Sequence, residues 1–265
     1  MEKKKTIAHI AAWMKAYAQE SRTEGFVVGV SGGIDSALVS TLAAMTGLRT
    51  VCVTLPIHQA AAQVDRAGEH IDWLKARYPN VESQDIDLTE PYNRFVLDLP
   101  TASDEDRQHL VNANTRSRLR MTALYYVAGL YGLLVAGTGN KVEDFGVGFF
   151  TKYGDGGVDI SPIADLTKTQ VYGLAEELGV VESIRAALPT DGLFGDNRSD
   201  EEQIGATYPE LERAMEQSES GACADDLTGR EREVFGIFSR RNRANRHKTE
   251  PIPVCKIPEN LKGYR

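Results

Sequence analysis

Six consecutive residues, Ser31-Gly32-Gly33-Ile34-Asp35-Ser36, have the types and the spacing to hold a phosphate. They follow the apolar run 26–30, which reads as a buried strand, and precede residues 37–45, which read as a helix. A strand that breaks into Ser-Gly-Gly and then starts a helix turns backbone N–H groups and a helix N-terminus toward one point in space. That point suits an anion. Gly32 and Gly33 leave room for a phosphate against bare backbone, and Ser31 and Ser36 add hydroxyl donors at the rim. Asp35 does not fit a simple anion site. A carboxylate beside phosphates makes sense if it holds Mg2+, which one or two carboxylates together with phosphate oxygens satisfy. The plainer alternative is a glycine turn with Asp35 as a helix cap.

The elements that must position this loop are legible on both sides of it. Residues 6–19 place Ile7, Ile10, Ala11, Met14, Tyr17 and Ala18 at helical spacing, which predicts an amphipathic first helix against a sheet. Residues 49–56 are β-branched and end at Pro56, so they read as the next parallel strand. A helical pattern over 63–78 and a third strand over 81–88 complete a βαβαβ order, which implies right-handed crossovers and a sheet covered on both faces. The polar stretch 100–108 predicts a loop before a long helix over 111–131, with Arg116, Arg118 and Arg120 near its start and an apolar second half. Residues 133–137 form another buried run, ending in Thr138-Gly139-Asn140. The fold class is therefore α/β, a single-domain open parallel sheet flanked by helices. In such sheets ligands gather at the carboxyl ends of the strands near the switch in strand order. The loops after Val30 and after Ala136 lie there, so Asp35 and Glu143 are expected to face one bound metal.

Composition narrows the class without naming it. The 265 residues suffice for one large domain, and 42% hydrophobic with 26% charged residues is ordinary for a globular protein. A formal charge of −8 argues against general nucleic-acid affinity. Cys52, Cys223 and Cys255 are widely spaced and form no Cys-x-x-Cys, which disfavours a disulfide framework and a thiolate zinc site. The basic start, Met1 to Lys5, leads into no apolar h-region, and no stretch is apolar enough to span a membrane, so the cytoplasm is expected.

The loop resembles the SGGxDS pyrophosphate-binding loop of the N-type ATP pyrophosphatases, in the PP-loop superfamily with its Rossmann-like, adenine nucleotide alpha hydrolase-like fold. It has neither the spacing nor the lysine of a Walker loop. Enzymes with this loop hold the departing β- and γ-phosphates as pyrophosphate, so an acceptor oxygen attacks the α-phosphorus and becomes adenylated. Downstream, Gly148-Phe149-Phe150-Thr151-Lys152-Tyr153-Gly154-Asp155-Gly156-Gly157-Val158-Asp159 and Leu166-Thr167-Lys168 follow in order. With the Arg118-x-Arg120 helix and Gly137-Thr138, this block is similar to the ammonia-dependent NAD synthetases over roughly Val28 to Lys248.

That resemblance implies an ATP-dependent ligase that amidates deamido-NAD with ammonia through an acyl adenylate, yielding NAD, AMP and pyrophosphate. It assigns Gly29, Val30, Ser31, Gly32, Gly33, Ile34, Asp35, Ser36, Thr138, Lys168 and Thr190 to ATP, and Asp35 and Glu143 to Mg2+. Arg118, Lys152, Asp159, His247 and Lys248 would hold deamido-NAD, and Asp155 would lie near its reacting end, so Asp35, Asp155 and Lys168 are the candidate catalytic residues. Members are homodimers with a shared dinucleotide site, which makes the apolar half of the 111–131 helix a candidate interface. Residues 1–22 would form the N-terminal helix, 189–210 a mobile lid and 225–265 a C-terminal helix and tail, with no room for a glutaminase domain.

Plainer readings exist for several of these residues. Arg118 and Arg120 alone would pass for solvated helix charges, Lys152 and Lys168 for surface lysines, and His247-Lys248 for part of a basic helix face. Gathering such cations makes sense for a pyrophosphate-bearing substrate. Two departures stand out: the segment between Glu143 and Phe149 is one residue longer than in some members, and the sequence after Thr190 differs from the common pattern. The competing readings are a tRNA-thiolating or GMP-forming relative, and a nucleotide-binding regulatory module without catalysis. The charge and the scattered cysteines oppose thiolation, and a pair of metal carboxylates is more than binding alone requires.

Overall fold

The computed structural model describes residues 1–189 and 199–263. Its centre is a four-stranded, all-parallel sheet in the order β3-β2-β1-β4, with β1 at Gly25–Gly29, β2 at Arg49–Thr54, β3 at Val81–Asp85 and β4 at Leu133–Val135. β1 lies between β2 and β4, so the crossovers leave it in opposite directions and the strand order reverses beside its carboxyl end. The loops 30–33 and 136–140 flank that point, as expected.

Both faces are covered. On one, α1 (Lys3–Glu20), α2 (Ile34–Met45) and α6 (Lys168–Glu177) bury Ile10, Met14, Leu38, Leu42, Val171 and Leu174 against Phe26 and Val28. On the other, α5 (Glu105–Tyr131) lays Val127 and Ala128 on Val27, Val53 and Val135. Fully buried side chains of this size stabilise by about 1.5–3 kcal/mol each, which is why alternation along β1 and β2 gives way to continuous apolar runs. Helix α3 (Ala61–Lys75) packs Ile71 and Leu74 near Cys52 and Val81. Of two short helices, α7 (Glu182–Arg185) adds Ile184 to the core under α2, and α4 (Thr89–Leu97) sets Tyr92 beneath Arg116 of α5.

A second, smaller core lies past the end of β4. A π-helix at Lys141–Val147 contributes Val142 and Val147, which pack with Ile204 of α8 (Asp200–Ile204), Tyr208, Leu211 and Met215 of α9 (Tyr208–Glu219), and Phe235 and Phe238 of α10 (Gly229–Thr249). Among the described residues no helix is long and apolar enough to cross a membrane.

Several boundaries differ from the sequence reading. The long helix starts at Glu105, not near residue 111, because Asp104 caps it by accepting from Arg107 N at 3.1 Å and acidic residues fill its first turn. β3 stops at Asp85, with Ile86 and Leu88 in the following loop, and α4 forms where no helix was expected. Within the segment 189–210, residues 200–204 and 208–210 are helical and bury Ile204 and Tyr208 in the second core, so this part is built structure.

Candidate functional site

The chain passes from β1 through Val30-Ser31-Gly32-Gly33 into α2, and Gly32 takes φ +82°, where a Cβ would stand 2.5 Å from the Gln63 carbonyl oxygen. A side chain here would be strained and crowded, so glycine is required. Ser31 Oγ accepts from Gly33 N at 3.2 Å, and Ser36 Oγ donates to the Gly33 carbonyl at 3.0 Å, which braces the turn. Among the described residues no side chain caps α2. Its first-turn N–H groups are therefore left for an external acceptor, and Gly29 through Ser36 line a cavity of about 300 Å3 that also meets Thr138, Glu143, Asp155 and Lys168.

Asp35 is not the cap of α2. Its carboxylate turns instead toward the segment after β4, where Oδ1 accepts from Asn140 Nδ2 at 3.1 Å and Oδ2 accepts from Lys168 Nζ at 2.6 Å. Lys168 also donates to Glu143 Oε1 at 2.8 Å. The lysine side chain is 4% exposed, and its two partners are 16% and 15% exposed. Burial pushes the Asp35 carboxyl up, more than Lys168 pulls it down. Burial also opposes the Lys168 charge, but the two carboxylates outweigh it and hold its pKa above the lysine range. The Lys168 ammonium thus sits between Asp35 and Glu143, the pair that the sequence reading expected to face a bound metal.

Asn140 makes this convergence rigid. Its side chain is fully buried, and its Oδ1 accepts from Val142 N and Glu143 N while its Nδ2 holds Asp35. Tyr208 approaches from α9. Its hydroxyl donates to Glu143 Oε1, lies 3.3 Å from Asp200 Oδ2, and its ring centroid is 4.9 Å from Lys168 Nζ. Burial and the neighbouring carboxylates push the phenol far up, so it remains a donor.

Deeper in the cleft, Asp155 accepts from Ser117 Oγ at 2.6 Å and from Thr151 N at 3.0 Å. The residue is exposed to the open cleft, facing both the large cavity and a neighbouring one of about 160 Å3 that also touches Lys248. Desolvation in that position raises its pKa against the pull of those hydrogen bonds. Asp144 lines both cavities too, with its carboxylate against Gly139, where a Cβ would meet Oδ2 at 1.9 Å. Burial first, then Asp155, Glu143 and Asp35, hold the Asp144 carboxyl well above the carboxylate range.

The residues expected to grip a second nucleotide form a band beside this cleft. Arg118 Nε donates to the Lys152 carbonyl at 3.3 Å, Lys152 Nζ donates to the His247 carbonyl, and Lys248 Nζ donates to the Gly148 and Phe150 carbonyls at 2.8 Å each. Arg118 and His247 are exposed, and His247 Nδ1 donates to the Ala244 carbonyl at 3.1 Å. Asp159 is turned to the end of β4, accepting from Val135 N at 2.8 Å and from Tyr125 Oη at 3.0 Å. Thr190 and the following residues 191–198 lie outside the described residues.

Residues 6–252 match the family model for NAD synthase. The chain belongs to the NAD synthase family. The NH(3)-dependent NAD(+) synthetase of Carboxydothermus hydrogenoformans is 35% identical over 253 residues, with 93% of each chain covered. That of Methanococcoides burtonii is 38% identical over 247 residues, covering 91% of this chain and 90% of the relative. Among solved structures, NMN synthetase from Francisella tularensis has a TM-score of 0.82 at 29% identity, over 98% of this chain and 99% of that one. NAD synthases are ligases that amidate deamido-NAD at the expense of ATP, the last step of NAD biosynthesis, and the parallel sheet is that of the adenine nucleotide alpha hydrolase-like fold.

The sequence reading gives no role to Asn140, Asp144, Ser117 and Tyr208, which the structure brings to the site. Asn140 had a local signal, a Gly-Asn pair directly after a buried strand. Tyr208 had none, since Thr-Tyr-Pro-Glu reads only as a helix start.

Proposed function

We propose that this chain amidates deamido-NAD with ammonia, consuming ATP and releasing AMP and pyrophosphate. The observation that carries the reading is the meeting of Asp35, Glu143 and Lys168 at an uncapped helix N-terminus on the strand-order switch, in a chain of the NAD synthase family. The residues fit Mg2+: two hard oxygen donors share one cation, and Glu143 Oε2 accepts no hydrogen bond among the described residues. Asp35 and Glu143 would hold the ion, which when bound would draw charge from the phosphates.

The chain's own residues do the rest. The N–H groups of Gly32, Ile34, Asp35 and Ser36 bind the β- and γ-phosphates, and Thr138, Lys168 and Thr190 the rest of the nucleotide, which leaves the α-phosphorus open. Arg118, Lys152, Asp159, His247 and Lys248 hold the dinucleotide so that a nicotinate oxygen reaches that phosphorus, displacing pyrophosphate and giving the acyl adenylate. Lys168 balances the negative charge as it shifts. Ammonia's lone pair then attacks the carbonyl carbon, the bond to the phosphate oxygen breaks, and AMP leaves. Asp155, its pKa raised by burial, takes the proton that nitrogen sheds.

Two copies would form a homodimer through α5, whose outer face leaves Tyr126 and Leu130 73% and 60% exposed. ATP and a dinucleotide as substrates favour the cytoplasm.

The test incubates the protein with MgATP, ammonium and either deamido-NAD or nicotinate mononucleotide, and follows AMP, ADP and pyrophosphate. Ammonium-dependent AMP and pyrophosphate with deamido-NAD support the reading. ADP as the product overturns the whole scheme. Turnover of the mononucleotide instead would favour the second reading, an NMN synthetase, which the likeness to the Francisella tularensis structure keeps in play.

A further inference from the structure

The Glu143 carboxylate has one oxygen fully engaged and one free. Oε1 accepts from Lys168 Nζ at 2.8 Å and from the Tyr208 hydroxyl, whereas Oε2 has no hydrogen bond among the described residues. A carboxylate on a short side chain swings about its last torsion unless something pins one oxygen. Lys168 alone pins it poorly, because the same ammonium is shared with Asp35 at 2.6 Å and follows any movement there. Tyr208 has no such divided tie. Its hydroxyl has a single proton, and the longer approach to Asp200, 3.3 Å, leaves that proton to Glu143.

The mount of Tyr208 is stiff. The residue is 4% exposed at the first position of α9, its own N–H donates to Glu201 Oε1 at 2.7 Å, and Leu211 one turn on is fully buried. Thr207 N donates to Glu210 Oε2 at 2.9 Å, and Arg230 of α10 grips the same Glu210 carboxylate at 2.8 and 3.0 Å. The start of α9 is therefore held by two other helices, and the ring cannot tilt without disturbing the second core.

We propose that Tyr208 is a positioning residue that fixes Glu143 with its free oxygen toward the divalent cation. The inference rests on reading Glu143 as a ligand of that cation. It acts through Glu143, which lines the large cavity while Tyr208 stands behind it. Hydrogen-bond partners of metal-ligating carboxylates are worth about 10–100-fold in metal affinity.

The experiment measures Mn2+ binding by electron paramagnetic resonance, in the presence of α,β-methylene-ATP, for wild type, Tyr208→Phe and Glu143→Gln. Half-saturating Mg2+, kcat and KM for deamido-NAD are measured alongside, with melting curves for each protein. Tyr208→Phe keeps the ring and removes only the hydroxyl. The expected result is Mn2+ binding weakened about tenfold, a matching rise in half-saturating Mg2+, kcat near wild type once Mg2+ saturates, and an unmoved KM for deamido-NAD. Unchanged Mn2+ affinity in Tyr208→Phe, with binding lost in Glu143→Gln, overturns the role of Tyr208 alone. Unchanged binding in Glu143→Gln overturns the ligand reading and this inference with it. Loss of Mn2+ binding together with a collapsed melting transition would make Tyr208 purely structural and also overturn it.

Discussion

Replacing Lys168 by Met tests the centre of the site without touching the phosphate cradle. The methionine keeps most of the stem length and removes only the ammonium, so the packing of α6 is retained while Asp35 and Glu143, 16% and 15% exposed, lose their shared cation. Removing one member of a buried ion pair costs about 3–5 kcal/mol, because the remaining charge stays desolvated. At about 2–4 °C per kcal/mol for a chain of this size, the metal-free variant should melt roughly 6–20 °C below wild type. The deficit should depend on pH. Burial already raises the Asp35 carboxyl with Lys168 present, and without it the Glu143 charge raises it further. A carboxyl that binds its proton more tightly folded than unfolded makes stability fall as pH climbs from its unfolded value, near 4, through its folded one. Melting curves at pH 5 and pH 8 should therefore diverge more for Lys168→Met than for wild type, and Mg2+, binding only the folded form, should restore part of the loss at pH 8. A variant that melts within about 2 °C of wild type at pH 8 without Mg2+ would refute the ion-triad account. So would a deficit identical at both pH values.

Other perturbations test separate parts of the molecule. Asp35→Ala should abolish AMP formation while circular dichroism stays native, since the proposed Mg2+ ligand is removed and Lys168 keeps Glu143; full activity would take Asp35 out of the site. Arg118→Ala should raise KM for deamido-NAD several-fold and leave KM for ATP alone, whereas a selective effect on ATP would invert the assignment. His70, fully buried with Nε2 2.9 Å from Ser40 Oγ and Nδ1 unpaired, is depressed to about 4 by burial, so the unfolded chain takes up a proton first as pH falls below 6.5. Folding should lose about 2 kcal/mol between pH 7.5 and pH 5 on this account, and urea titrations of His70→Gln should show that increment gone.

What the sequence disclosed about the site depended on how local each signal is. The phosphate loop is a strand, a glycine turn and a helix start in contiguous residues, so its geometry follows from backbone rules alone. The approach of Asp35 to Glu143 followed from topology, because parallel crossovers bring the ends of β1 and β4 together whatever their side chains. Asp104 was misjudged for the opposite reason: an Asp-rich stretch after Pro100 looks like a loop unless the cap is recognised, and α5 gains six residues from it. Tyr208 was out of reach altogether. It meets Glu143 across 65 residues through the packing of the second core, and nothing in its neighbours distinguishes a tyrosine that reaches a carboxylate from one that merely fills space.

The segment after Glu143 shows how packing resolves what a pattern leaves open. An insertion in an α-helical turn rotates everything beyond it by about 100°, which would have carried either Glu143 or the Gly148–Lys152 stretch away from its partners. Lys141–Val147 form a π-helix, whose turns close five residues apart and so hold one residue more than an α-helical turn without passing a rotation on. Glu143 therefore still meets Lys168, and Gly148 and Phe150 still present their carbonyls to Lys248. The π-helix also carries a further carboxylate, Asp144, raised by burial and by Asp155, Glu143 and Asp35, with Lys248 pulling the other way. A carboxyl held that far up carries a proton rather than a charge. The cation-attracting field of the cleft therefore comes from the carboxylates beside Lys168 and Lys248, and the proposed divalent metal and ammonium ion would have to be drawn in by those.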